Sequence, residues 1–432
     1  MTVIDLGERR DVAGPAEPGP GRLLRRWAPA LVALLCLVAP AAAAPWPAQP
    51  PGAAIPVESD ANVLFADEAL LVTASDPDAV PDEAVRRLVA YRLPSGRPMW
   101  RVTMPAPGRV FQAVRVGDLL VVSSTGDRTV PPTAIGLAVG DGGVRWRAEG
   151  QLRGATGAGH LLLSAFDTSG ASVLRSVDPA GGAVRWSQPL AFEDTHLYRR
   201  DQRVRLLAVL DGGRLEVRDP DTGAVRVAAT VSGRSRVLTV TRELVLLTDA
   251  SGTLSGYEIA ALRRRWSVPR GPADQPDIYD CGVLICVDDG SPTVRLLDPA
   301  TGTVRWQTGM AALWPVPVEG RLLAVRRSGG GAADHVLLDA ATGRSVRQLG
   351  RWQPFAGGLL EDPRITVHRR QRDGRYLVGR IDERGEGVRV LAVLRGVVGA
   401  CGTFGSSVVC RHEDGGLGVW VLPGDRDRKG RA

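Results

Sequence analysis

DPATGTVRW, residues 298–306, is the stretch that decides how this chain folds. It holds an Asp able to bond the amides of its own turn and a Gly that accepts positive φ. A strand with a large aromatic follows four residues later, so the phrase reads as a hairpin turn feeding a β-strand. The phrase recurs as SGRPMW (95–100), GGVRW (142–146), GGAVRW (181–186), DPDTGAVRV (219–227), LRRRW (262–266), DAATGRSVR (339–347) and DERGEGVRV (382–390). The last positions are 100, 146, 186, 227, 266, 306, 347 and 390, so the steps are 46, 40, 41, 39, 40, 41 and 43. Trp100, Trp146, Trp186, Trp266 and Trp306 occupy five of these stations, half of the ten tryptophans in the chain. Asp178, Asp219, Asp298, Asp339 and Asp382 stand eight residues ahead of the station, and Gly182, Gly223, Gly302 and Gly343 stand four ahead.

Between stations lie short runs of Val, Leu and Ile bounded by Gly or Asp, such as GVLIC, VRLLD and TVRWQT in 282–308. Alternation at period two with β-branched enrichment means strands. A period of about 40 residues carrying four strands describes a β-propeller. Tandem β-sandwiches need about 100 residues each and do not match this period. The expected fold is therefore all-β, a propeller of about eight four-stranded blades with seven to nine admissible. Eight stations are visible, and a ninth unit at 397–423 (VVGACGTF, SSVVCRHE, LGVWVLP) has three strands but no station. Ring closure by a terminal strand would complete that remnant from residues near 53–60. Literal counting then gives nine, while the usual range of propellers favours eight with one degenerate unit.

DPATGTVRW and its echoes at 175–186 and 216–227 resemble the repeat of the pyrroloquinoline-quinone-like propeller superfamily. That group includes quinoprotein alcohol dehydrogenases and the outer-membrane assembly lipoprotein propeller. The resemblance spans roughly residues 60–423 and implies the fold while leaving the function open. A quinoprotein dehydrogenase would imply a quinone held by a Trp and a vicinal Cys-Cys disulfide, with Ca²⁺ and a catalytic Asp. The sequence has no vicinal Cys pair, and its tryptophans sit in a repeated phase that suits blade packing. No cofactor is expected. No Trp-Asp dipeptide and no phased double glycine point to other propeller classes.

Other chemistry is thinly represented. His160, His196, His335, His368 and His412 show no metal-ligand spacing, and there is no nucleophile elbow or phosphate loop. Asp76, Asp78, Asp82 and Glu83 lack the alternate ligand spacing of a Ca²⁺ loop and read as a solvated insertion. Asp288-Asp289-Gly290 reads as an ordinary turn, and Glu193, Asp194 and His196 fall between units, where they would face one surface of the ring. No catalytic or metal-binding residue is assigned. Cys36 aside, Cys281, Cys286, Cys401 and Cys410 make an even set, each pair bracketing a predicted hairpin. In an exported domain this favours bridges Cys281–Cys286 and Cys401–Cys410, with cross-linking between the hairpins, or four reduced thiols, as alternatives.

The chain of 432 residues is 44% hydrophobic and 23% charged, which excludes wholesale disorder. Its formal charge of +7 comes from 54 basic residues, of which only Lys429 is a lysine. One arginine precedes the station at 145, 185, 226, 265, 305 and 389, where it would lie opposite the inward-facing Trp. Such a stripe encircles the ring instead of forming one patch, so nucleic acid is not an expected partner.

Residues 27–44, WAPALVALLCLVAPAAAA, are uncharged and follow Arg22, Arg25 and Arg26. Eighteen residues of helix reach about 27 Å, enough to cross the hydrocarbon core. The arginines put the N-terminus in the cytoplasm and the rest outside. The rival reading is a signal peptide cleaved after Ala42-Ala43-Ala44, which would leave the chain secreted. The expected organisation is a cytoplasmic tail (1–26), an anchor or signal (27–44), a Pro-rich spacer (45–57), the propeller (58–423) and a charged tail (424–432). The expected function is a membrane-tethered extracytoplasmic scaffold that binds an envelope or membrane protein or a ligand without catalysis. The alternative is an exported oxidoreductase or lyase on the same ring.

Overall fold

A computed structural model describes residues 49–423, apart from short stretches, chiefly 76–85, 105–108, 126–130, 190–194, 272–275, 328–332, 356–365 and 383–386. The expected tails, the 27–44 segment and the acidic run 76–83 lie outside the described residues. Among the described residues, thirty-six strands form eight hydrogen-bonded sheets. Seven are four-stranded. The eighth has eight strands, because two successive four-strand repeats are joined by a short parallel pairing of Ala155 with Arg203 and Thr156 with Val204. The four-strand units, here called blades, span 62–103, 110–149, 151–189, 195–230, 236–269, 277–308, 312–350 and 353–394. A last blade comprises Val397–Phe404, Ser407–His412 and Leu417–Val421 with the N-terminal strand Gly52–Ile55.

The expectation of about eight blades thus resolves into eight sheets holding nine blades. The three-strand remnant without a station is not surplus. Gly52–Ile55 pairs antiparallel with its last strand, Gly52 opposite Trp420 and Ile55 opposite Leu417. This closing strand lies inside the stretch expected to be a Pro-rich spacer. Its Ile55 is fully buried, and a strand with one buried face is pulled into register by that burial.

Among the described residues, nine buried apolar clusters occur, each between one blade and the next. One of them joins Ile55, Val409 and Val419 of the last blade to Leu70, Val72 and Val89 of the first, which closes the ring. The core is therefore a circle of interfaces between sheets, where apolar area leaves water on both faces of every blade.

The station phrase builds these interfaces. Asp298 Oδ1 accepts the Ala300 amide at 2.7 Å, and the Gly302 amide donates to the Asp298 carbonyl at 2.8 Å. Asp178, Asp219 and Asp339 accept amides of their own turns in the same way, at 2.8–2.9 Å. Gly302 sits at φ +71°, and a Cβ there would lie 2.6 Å from the ring of Trp266 in the preceding blade. The glycine is thus required twice, once for its backbone and once for the indole lying on it. Trp266 Nε1–H donates to the Pro299 carbonyl beside that glycine at 2.9 Å.

The same lock joins Trp100 to Val139, Trp146 to Pro179, Trp186 to Asp221 and Trp306 to Ala340 at 2.6–3.1 Å. Each tryptophan therefore serves the next blade as well as its own. Where the station is Val227, the following turn carries Leu262 at the glycine position, with φ +48° and 3% exposure. Leu262 packs in the cluster that includes Val227. The leucine occupies the volume that an indole fills elsewhere, at a cost of about 1–2 kcal/mol in left-handed backbone strain.

Candidate binding surface

Strand direction alternates within each blade, so the ring has two chemically different rims. The station turns and the connections from first to second strands leave from one rim. Connections from second to third strands, and from one blade to the next, leave from the other. The first rim carries the repeated Asp/Gly turns, whose aspartates are committed to amides of their own turns. The second carries connections that differ from blade to blade, among the described residues Pro131-Pro132 and the turn 371–375. Variable connections on a rigid scaffold are where recognition resides.

None of the residues singled out by the repeat converge on a reactive centre. The tryptophans, aspartates and glycines are distributed around the ring as locks. Arg226 and Arg305 turn back to Asp219 and Asp298 of their own blades, and Arg265 reaches Glu243 and Glu258. The Asp298 carboxyl is held below its usual range by the Ala300 amide first and by Arg305 as well, against the opposing effect of burial. Cys281 is bonded to Cys286 and Cys401 to Cys410, each bridge within one hairpin.

Asp289 differs from the turn residue expected. Its side chain is 2% exposed and pairs with Arg295 at 2.7 Å, a buried ion pair that spacing in the sequence does not reveal. Two of the histidines that look scattered are brought together. His335 is buried, and His368 lies between Phe355 and Tyr376 with ring centroids at 4.7 and 5.0 Å. Burial first, and then the nearby His335, push the His368 pKa down to about 4. Among the described residues, no group of three His, Cys, Asp or Glu side chains is placed to hold a metal ion. Glu193 and Asp194 lie outside the described residues.

Clefts open on the second rim. One, of about 150 Å³, lies where the second and third blades meet, lined by Pro131, Pro132, Glu149, Gly150, Gln151, Ser164, Ala165 and Phe166. Phe166 ends its strand with 54% of its surface exposed, while the other large exposed apolar residues described are valines. Ser164 also borders a second cleft with Arg153, Ser172, Thr195 and Leu197, so the two form one continuous surface. Along the innermost strands beside it stand Arg153, His196, Arg199 and Arg236. Burial lowers the His196 pKa, with Arg153 adding to the effect and a hydrogen bond with Val237 opposing it. Burial also lowers Arg153, and lowers Arg199 with help from Arg153. The surface thus has an aromatic lip and a positively charged inner side. Sequence reasoning missed Phe166, because one aromatic at a strand end carries no periodic signal.

Ring closure, the four-strand repeat and the tryptophan locks define a β-propeller of the pyrroloquinoline-quinone-like repeat class. The family profile described as outer membrane protein assembly factor BamB matches residues 43–203 and 170–289, more than half of the chain. The chain belongs to that family. No curated protein matches it. Among solved structures, BamB from Moraxella catarrhalis is similar at 15% identity over 85% of this chain and 96% of that one, with a TM-score of 0.40. The computationally designed Ika8 protein is similar at 15% identity over 73% of this chain and 98% of its own, with a TM-score of 0.46. The Chaetomium thermophilum Sqt1 bound to the N-terminus of ribosomal protein L10 is similar at 14% identity over 85% and 98%, with a TM-score of 0.45.

Proposed function

We propose that this protein is a membrane-tethered, extracytoplasmic scaffold that holds another envelope protein on its second rim and performs no catalysis of its own. Membership of the BamB family supports an envelope role with protein partners. The uncharged run 27–44 behind three arginines supports the tether. The observation that carries the reading is Phe166, an exposed aromatic at the mouth of a Pro-lined cleft. Aromatic side chains, phenylalanine among them, are enriched at protein interfaces relative to the rest of the surface.

The test is cross-linked co-purification from membranes with the wild-type chain and with Phe166→Glu. Loss of the captured protein in the variant, with unchanged thermal stability, is expected. Retention of every captured protein by the variant refutes the assigned surface. Mass spectrometry of the N-terminus in purified membranes tests the tether, and a mature chain beginning at Pro45 refutes it.

A further inference from the structure

On the same rim, at the eighth blade, the hairpin HRRQRDGR (368–375) and the preceding Arg351 form a separate concavity of about 370 Å³. Its lining is Arg351, Arg369, Arg370, Gln371, Arg372 and Asp373. We infer that this pocket binds a phosphate oxyanion, either free phosphate or the phosphate of a lipid headgroup.

Charge balance is the first argument. Four arginines face one carboxylate, and that carboxylate is already engaged. Asp373 Oδ2 accepts from Arg375 Nε at 2.6 Å, and its Oδ1 accepts the Arg375 amide at 3.1 Å. These bonds hold Asp373 below its usual carboxyl range, the backbone amide contributing most. Asp373 therefore shapes the turn and leaves the lining arginines without a neutralising partner of their own in the pocket wall.

Preorganisation is the second. The Arg369 guanidinium lies over the Trp352 ring, 5.5 Å from its centroid, which restricts the side chain before any ligand arrives. The turn itself is closed by Gly374 N–H to the Gln371 carbonyl and Gln371 N–H to the Arg375 carbonyl, at 3.2 and 2.8 Å. Guanidinium forks match phosphate oxygens in pairs, and the gain is greatest where their orientation is fixed beforehand.

The chemistry of the lining is the third. All six side chains of the wall end in charged or amide groups, and four of them are guanidiniums, which match the oxygens of a compact phosphate in pairs. The pocket is distinct from the Phe166 cleft, so the inference stands whether or not that cleft holds a protein.

The experiment is calorimetric titration of the purified full chain with inorganic phosphate. A second arm uses monomeric dihexanoyl phosphatidylglycerol, with dihexanoyl phosphatidylcholine as its zwitterionic control. Binding of phosphate, or of the glycerol lipid above the choline lipid, is expected, with affinity falling as salt rises. The double variant Arg370→Ala/Arg372→Ala should weaken it at least tenfold with the unliganded melting temperature unchanged. Arg351→Gln, from outside the hairpin, should also weaken it, and keeps the test valid if the double variant misfolds. Arg145→Ala, on an outer strand of the second blade, should bind as wild type. Preference for inorganic phosphate assigns a soluble ligand, and preference for the glycerol lipid assigns a headgroup. Absence of both kinds of binding, or equal binding by the variants, overturns the inference. So does tighter binding of a poly-glutamate peptide than of either phosphate probe, which would assign the pocket to acidic protein segments.

Discussion

If an indole and a missing Cβ form one lock, exchanging both members at the odd station should rebuild it. The perturbation is Val227→Trp with Leu262→Gly, singly and together. Val227→Trp alone drives an indole against Leu262, which is 3% exposed, and overpacking of that kind costs about 1–3 kcal/mol. Leu262→Gly alone empties a buried leucine site, a loss of about 2–5 kcal/mol. It also relieves about 1–2 kcal/mol of left-handed strain at φ +48°. Taking middle values, each single variant loses about 2 kcal/mol, and independent sites would give about 4 kcal/mol for the pair. The lock predicts instead a double variant within about 1 kcal/mol of wild type, a coupling of about 3 kcal/mol, since the introduced indole fills the vacated volume. Urea unfolding followed by circular dichroism measures all four chains. Additive losses in the double variant would refute the lock as the reason for the Trp and Gly phases.

Further outcomes follow from the same interfaces. Trp266→Phe removes the bond to the Pro299 carbonyl and should cost about 1 kcal/mol, whereas Trp266→Ala should cost about 3–5 kcal/mol, both read from denaturant midpoints. His368 is neutral in the native ring because its pKa is depressed to about 4. As pH falls below about 6.5 the unfolded chain takes up a proton that the native one refuses, so stability should drop by up to about 3 kcal/mol by pH 4. Comparing urea midpoints at pH 7.5 and 4.5 checks this, and His368→Phe should flatten the dependence. A chain beginning at Pro45 should unfold as wild type, while one beginning after Ile55 strips the cover from the buried strand Leu417–Val421 and should aggregate on size-exclusion chromatography. Replacing Cys401 and Cys410 with serine should cost about 2 kcal/mol, since a bridge over so short a loop removes little unfolded-chain entropy. Equal midpoints with and without reductant would contradict it.

Much of the fold is legible in the chain because a propeller repeats one local solution. Asp298, Gly302 and Trp306 are each chosen by turn and strand chemistry acting within about ten residues, and repetition lifts that choice above noise. The hairpin bridges could be favoured from spacing for the same reason. Binding residues do not repeat. Phe166 and the Arg369–Arg372 hairpin look like ordinary strand ends until the ring places them beside Pro131 and Arg351. His335 and His368, 33 residues apart in number, become neighbours only where two blades pack.

The amino-acid sequence by itself determined the all-β class, the 40-residue period, the turns and the apolar faces, because these follow from interactions between near neighbours along the chain. Only the tertiary structure decided three things. It fixed the register of the closing strand that the sequence placed near 53–60, setting Gly52 opposite Trp420 and Ile55 opposite Leu417. It made each tryptophan the partner of the next blade's glycine and let Leu262 stand in where Val227 replaces Trp. It also gathered unrelated side chains into clefts on one rim. All three depend on contacts between blades, where excluded volume and closure of the ring select among pairings that local propensity leaves equal.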